Sequence, residues 1–560
     1  MQRDLAALVT KEYDLLVIGG GIYGSFIAWD ASLRGLSVAL VEKGDFGHAT
    51  SSNSLKIIHG GLRYLQDANP VLVRNMIRER TVFMRIAPHL VHPLPFLLPT
   101  HGHGVRSKEV MTVALGLNDL LGFDRNQLGD PQKYIPNGRI ISKGECLQIL
   151  PGIADRASLT GGSVWYDAQI YNSEQLCLSV LQSADYEGAV LANYLEVINL
   201  VMKRDRVVGV LAVDTFSGQE LEIRAKLVIN ATGPWVDRVL SLLNRSHVRR
   251  RFYASLAMNL ITDQIVHEYA AGINTYPVHM ELANPIARYT PTIFIVPWRR
   301  FSLVGTAHAP YDGQSTKPRV SEEYIQSFID LVNTAYPTAR LTIDGVRFKH
   351  QGLLPITHNG SKTDRFRLLR QGKIFDHQVE DDIEGLISVM GVKYTSARFI
   401  AEKVLDLVLR KLNREMIPCQ THKKPIYGGD IERFNDFIMS ENANMPGGVE
   451  AKDVEHLIRM YGSNYRQVLR YMNEDTNPRI ENTTPSELLR AEILYAIREA
   501  MAQKLSDVIL RRTDLGAAGK PVEDSLHSVA AVMASELDWD QGKKDQEIKE
   551  VESIYTDCIL

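Results

Sequence analysis

Residues 13–45 read YDLLVIGGGIYGSFIAWDASLRGLSVALVEKGD, and this stretch decides the fold. Tyr13 to Ile18 form a short apolar run that stops at three glycines, as a buried strand does. The residues from Ile22 to Arg34 favour a helix, and Gly35 follows in the C′ position, where glycine most easily turns the chain. LSVALVEKGD supplies a second strand. Strand, helix and strand in this order need a right-handed crossover, so the two strands are expected to lie parallel in one sheet.

Gly19, Gly21 and Gly24 satisfy G-x-G-x-x-G between that strand and that helix. The first allows the tight turn, the second lets backbone approach a diphosphate, and the third lets helix pack close to sheet. The helix N-terminus offers unpaired N–H groups and the positive end of its dipole to the anion. Glu42 ends the second strand about 20 residues on, where a carboxylate accepts from ribose hydroxyls. An acid there argues against a 2′-phosphate, hence against NADP, and leaves FAD or NAD.

Three further stretches carry chemistry. In LVINATGPWVD (227–237) a strand runs into Ala231, Thr232 and Gly233, bringing backbone and a small side chain against something buried. In GLISVMGVKYTSARFIAEKVLDLVL (385–409) a strand and a turn at Gly391 lead into a long amphipathic helix. Starting near Lys393 to Ser396, that helix would aim its positive end at the negative charge a reduced flavin develops. ATSSNSLKIIHGGLRYLQ (49–66) sets His59, Arg63 and Tyr64 close together. His59 suits proton acceptance, and Arg63 suits bidentate recognition of a carboxylate or phosphate.

The 560 residues are 45% hydrophobic and 23% charged, enough apolar material for two or three cores. A formal charge of -3 provides no long-range field for nucleic acid, which is excluded as a partner. The four cysteines form no CxxC pair, so neither a metal site nor a disulfide scaffold is expected. MQRDLAALVTKEYD carries charges throughout and reads as neither signal peptide nor anchor, so cytoplasmic residence is expected, with peripheral membrane contact left open.

The chain is expected to be α/β, or α+β overall, with interleaved cofactor and substrate parts over 1–423 and a helical domain over 424–560. The ADP-binding βαβ unit takes 13–45, a small meander falls between about Tyr194 and Ile229, and the β-rich substrate-facing part covers about 251–355. In the helical domain Thr484 as N-cap, Pro485 at the first position and Glu487 make a capping box. Leu489, Ile493, Ile497, Met501, Leu505, Val508 and Ile509 then repeat at helical spacing. DWDQGKKDQEIKEVESIYTD (538–557) reads as a solvated terminal helix or loose end.

With these residues in place the chain resembles the FAD-dependent glycerol-3-phosphate dehydrogenase and oxidase family, within the D-amino-acid-oxidase-like superfamily. GGGIYGSFIAWDASLRGLSV, ATSSNSLKIIHGGLRYL and NATGPWV are similar to its N-terminal blocks, and AEILYAIREAMAQKLSDVILRRTDLG to the signature helix of its C-terminal domain. The resemblance implies a two-dinucleotide-binding FAD fold and hydride transfer from a secondary alcohol to flavin, with a quinone or oxygen as electron acceptor. A homodimer is compatible with it.

The same resemblance puts Glu42, Lys43 and the fingerprint glycines at the ADP portion, and Thr50, Ser51, Ser52 and Lys56 along the flavin approach. Val392, Lys393, Tyr394 and Thr395 join that cofactor set. Arg63, Tyr64, Thr306 and Lys393 are then expected to line the pocket of a phosphorylated or otherwise anionic substrate, with His59 and Lys393 at the chemistry. Two departures stand out: Ala307-His308 where the family carries Thr-Asp, and Leu354 where it carries arginine. His308 and His350 beside these positions become further catalytic candidates. The departures leave two rivals, a flavin amine or amino-acid oxidase and a flavin-binding protein without turnover.

Overall fold

The computed structural model describes residues 1–104, 106–154, 156–245, 247–249, 251–274, 292–311, 319–357, 367–445, 449–473 and 486–559. Tyr13–Ile18 is a fully buried strand, and Val38–Val41 pairs parallel to it with Val17 beside Leu40. Between them runs the helix Ile22–Leu33, ended by Gly35 at φ +75° with its N–H on the Ser32 carbonyl. The expected crossover unit is therefore formed.

An eight-stranded sheet grows around this pair. Glu220–Asn230 and Leu386–Met390 add in parallel on one side and Val190–Ala192 on the other, with Lys373–Asp376 as an antiparallel edge. The expected meander is Leu195–Lys203, Arg206–Asp214 and Glu220–Asn230, the last strand returning into the main sheet. Parallel strands buried on both faces explain why these segments are almost continuously apolar.

A second, ten-stranded sheet faces the first. The segment expected to form it contributes Ala254–Asp263, Ala270–Asn274, Thr292–Trp298, Phe301–Pro310 and Val346–Thr357. Four strands from earlier in the chain join them, Ile57–Ile58, Val91–His101, Arg139–Ser142 and Leu159–Ile170, and Arg367–Leu368 makes the tenth at one edge. The chain crosses repeatedly between the two sheets, so the connections converge on the space between them.

After Pro418 the described elements are helices alone. Three readings there need correction. The helix Glu487–Arg498 is capped by Ser486, whose Oγ accepts from Leu489 N–H at 3.2 Å; Thr484 and Pro485 lie outside the described residues. The apolar stripe does not follow one helix, because the chain breaks after Arg498 and resumes at Leu505–Asp507. Tertiary partners override helix propensity at the break. Asn193 donates to the Met501 carbonyl, Arg512 to that of Ala500, and the Asp507 carboxylate accepts from Gln503 and Lys504 N–H. Both pieces still bury into one core with Trp298 and Phe348 of the second sheet.

Thirdly, the tail is a helix, Gln541–Ile559, packed on one face rather than solvated. Glu547, Ile548, Val551 and Tyr555 are buried, and Tyr555 donates to the Gly516 carbonyl at 2.9 Å. The helical region is also tied to the loop after Val38–Val41 by a buried ionic network. Arg511 and Arg512 both converge on Asp45, and Arg511 also donates to Asp507 at 2.8 Å. Burial would raise the Asp45 pKa, but Arg512 and Arg511 hold it well below the usual carboxylate range.

Candidate active site

The glycines of the fingerprint are required by contact. Gly19 has φ +107°, and a Cβ on it would stand 2.8 Å from the Ala231 carbonyl oxygen. A Cβ on Gly24 would come within 1.9 Å of the Gly19 carbonyl oxygen, so only glycine lets helix and turn meet. Glu42 closes the second strand with its carboxylate accepting from Gly20 N–H at 2.8 Å and Gly44 N–H at 2.9 Å. The Ile22 N–H at the helix start donates to the Ser51 hydroxyl at 3.0 Å.

From this turn a cavity of about 630 Å³ runs between the two sheets. One end is walled by Leu195, Val197, Trp235 and Leu242, with the Lys43 ammonium 4.4 Å from the Trp235 ring centre. Burial, then Arg238, lowers the Lys43 pKa. The middle is lined by Gly19, Gly21, Glu42, Thr50, Ser51, Ala231, Thr232 and Gly233. The other end is bounded by Gly391, Val392, Lys393, Tyr394 and Thr395 on the first-sheet side and by Ala257, Asn259, Thr306 and Leu354 on the second.

Two extended segments bring the polar groups of that far end together. His59 follows the two-residue strand Ile57–Ile58, and its N–H donates to Thr395 Oγ1 at 3.1 Å. Arg63 and Tyr64 lie in the 3-10 turn Leu62–Asp67 that comes next. The Lys393 ammonium sits 4.2 Å from the Tyr64 ring centre, and the His59 ring 5.9 Å from the same ring. Burial, with Lys393 and Arg80 adding to it, pushes the His59 pKa down to about 3. Burial, then Arg370, brings Lys393 down to about 7, and burial raises Tyr64 to about 12. Arg63 has no carboxylate partner among the described residues. The cluster is therefore cationic with a neutral imidazole in its midst, an environment for an anion carrying an exchangeable proton.

Five expected residues are not cavity-lining. Gly24 faces the Gly19 carbonyl, where it packs helix against turn. Lys56 is completely buried, its ammonium held by Glu174 and Ser173, each at 2.8 Å. Ser52 donates to the Gly47 carbonyl at 2.6 Å instead. His308 is packed with its Nδ1 3.0 Å from Ser255 Oγ, and burial lowers its pKa to about 4. His350 rests near the Ser54 carbonyl and Phe348, lowered by burial to about 3. Both histidines are buried on their strands and neither lines the cavity.

Two residues without a sequence motif, Asn259 and Asp167, also border the site. Asn259 accepts from the Thr306 hydroxyl at 2.8 Å, and Asp167 takes Gly60 N–H, Arg80 and Trp165. Each is a polar residue inside an otherwise apolar strand, MNLIT and VWYDAQI, which was the available signal. Tyr23, inside the fingerprint itself, reaches across to the turn at 391–396.

Residues 14–404 match the model of a family described as FAD dependent oxidoreductase, and residues 419–544 match the C-terminal domain of alpha-glycerophosphate oxidase. The chain is 30% identical to a glycerol-3-phosphate dehydrogenase from Synechocystis sp., covering all of this chain and 99% of that protein. The chain belongs to the FAD-dependent glycerol-3-phosphate dehydrogenase and oxidase family. A second member, glycerol-3-phosphate dehydrogenase 2 of Mycobacterium tuberculosis, is 31% identical over 97% of this chain and 88% of its own length. Among solved structures, a glycerol-3-phosphate dehydrogenase from Bacillus halodurans complexed with FAD superposes with a TM-score of 0.77 at 27% identity, covering 99% of this chain and 97% of that one.

The glycine contacts and the lining of the cavity fit the FAD of this family. Among the chain's described residues no helix is long and apolar enough to cross a membrane.

Proposed function

We propose that this FAD-dependent oxidoreductase oxidises glycerol 3-phosphate at its secondary carbon, giving dihydroxyacetone phosphate. The observation that carries the reading is Arg63, without a carboxylate partner among the described residues, and the half-buried Lys393 set around a neutral His59 at the flavin end of the cavity. Arg63 and Lys393 hold the phosphate, with charge-assisted hydrogen bonds typically worth about 1.5–3 kcal/mol each. Tyr64 and Thr306 flank the carbon chain. His59 accepts the hydroxyl proton as hydride leaves the carbon, and the dianion nearby raises the imidazole's affinity for that proton. When bound, FAD supplies the two-electron acceptor for the hydride. Anaerobic addition of glycerol 3-phosphate to the yellow protein should bleach its visible absorbance; an unchanged spectrum removes this substrate.

A second reading, oxidation of an amine or amino acid, is favoured by Leu354 alone, an apolar side chain on the cavity wall. Ammonia release would identify it.

We infer further that a membrane quinone takes the electrons. The helix Lys108–Leu121 directs Val110, Val113, Leu117 and Leu120 outward, and Phe123 follows it; Val113, Leu120 and Phe123 are 63%, 69% and 77% exposed. This helix packs on the turn that carries Arg63 and Tyr64. A face of this kind lies in the interfacial plane of a bilayer without crossing it. Leu120→Asp with Phe123→Asp should abolish cosedimentation with phosphatidylglycerol vesicles, and retained binding rejects the bilayer. The division near residue 424 is taken as the start of the helical domain, which limited proteolysis would test.

A further inference from the structure

The turn that borders the flavin end of the cavity carries four consecutive backbone donors, Val392, Lys393, Tyr394 and Thr395. They are not equivalent. The N–H groups of Val392 and Lys393 donate to the Tyr23 hydroxyl at 3.2 and 3.3 Å. That hydroxyl in turn donates to the Lys393 carbonyl at 2.8 Å and lies 3.0 Å from Ser396 Oγ. The N–H groups of Tyr394 and Thr395 precede the first helical bonds and have no partner among the described residues.

Tyr23 stands on the first turn of the fingerprint helix, so one side chain links that helix to the 391–396 turn. Its ring fits only because residue 391 is glycine, where a Cβ would come within 2.4 Å of the ring. Burial raises the phenol pKa, so it stays neutral and takes part as a hydroxyl.

We propose that Tyr23 sets the reduction potential of the bound flavin by withholding two of these four donors from the ring. Free N–H groups at a helix start stabilise a negative charge that develops beside them. A ring reduced by two electrons gains such charge, so each donor available to it favours the reduced form. With Val392 and Lys393 held by the phenol, only Tyr394 and Thr395 act in full. Tyr23 is a positioning residue: it works through the turn and takes no part in the hydride or proton step. The proposal rests on flavin binding alone and is independent of which alcohol is oxidised.

The test is the two-electron potential of the purified holoenzyme, measured against a reference dye during slow reduction without substrate. Tyr23→Phe keeps the ring against Gly391 and removes the hydroxyl. The equilibrium should shift tenfold or more toward reduced flavin, a rise of about 30 mV for a two-electron couple. Tyr23→Leu, which also lacks an acceptor, should shift it the same way and gives a second reading where the phenylalanine variant misfolds. Ser396→Ala leaves both donors on the phenol and should leave the potential unchanged. An unchanged or lower potential in the flavin-loaded Tyr23 variants overturns the proposal. So does an equal rise in Ser396→Ala, which would report general loosening of the turn.

Discussion

Replacing Lys393 with methionine should remove a pH-dependent limb from catalysis, and the structure gives both its position and its size. Burial and Arg370 bring the ammonium down to about pH 7, so it loses its charge within the working range. The charged form is the one that grips an anion. Therefore kcat/KM for glycerol 3-phosphate should be high below pH 7 and fall above it, since this parameter reports the free enzyme. The second phosphate pKa, near ~6, adds an ascending limb and narrows the optimum. Losing one charge-assisted hydrogen bond of about 1.5–3 kcal/mol lowers kcat/KM about 10- to 150-fold, with a factor of ten for every 1.36 kcal/mol. Lys393→Arg retains charge throughout and should move the descending limb out of range. Steady-state rates with an artificial electron acceptor between pH 5.5 and 9 measure both variants. A methionine variant that keeps the descending limb at its original pH refutes the assignment of that limb to Lys393.

Gly24→Ala should yield colourless protein, because its Cβ would press within 1.9 Å of the Gly19 carbonyl; flavin absorbance after purification decides it. His59→Ala should bind flavin normally but lower kcat by about 10²–10⁴-fold, the usual worth of a positioned proton acceptor; a loss below tenfold would reject that role. His456, held by Glu492 at 3.1 Å with Asp514 nearby, has its pKa raised to about 9 despite burial. A raised value stabilises the fold fully below about pH 6.5, and the contribution is lost as pH rises through 9. Urea unfolding should thus show about 3 kcal/mol less stability at pH 9.5 than at 6.5, and His456→Gln should flatten that difference.

The crossover unit was legible because local rules agree there. Period, glycine spacing and the acid at Glu42 each depend on neighbours within the same 33 residues, and none competes with a distant contact. That His59, Arg63 and Tyr64 meet at the cavity was legible for a related reason, since one short segment holds all three. Lys56 failed because its partner, Glu174, lies 118 positions away, and pairing turned the ammonium inward. His308 and His350 failed because strand register decides which side chains reach the cavity, and register is a property of two strands. The tail misled through its charge density, which hid Ile548, Val551 and Tyr555 at spacings of three and four. The break after Arg498 had no sequence signal, being imposed by Asn193 and Arg512 from elsewhere in the chain.

The salt-linked loop at Asp45 has a consequence for biosynthesis. Its guanidinium partners are made 466 and 467 residues later, so a chain emerging from the ribosome displays the loop after its second strand with the Asp45 carboxylate still exposed to water. Until the segment holding Arg511 and Arg512 has been made, that carboxylate has neither guanidinium, so the loop's ion pairing waits on synthesis of the helical region.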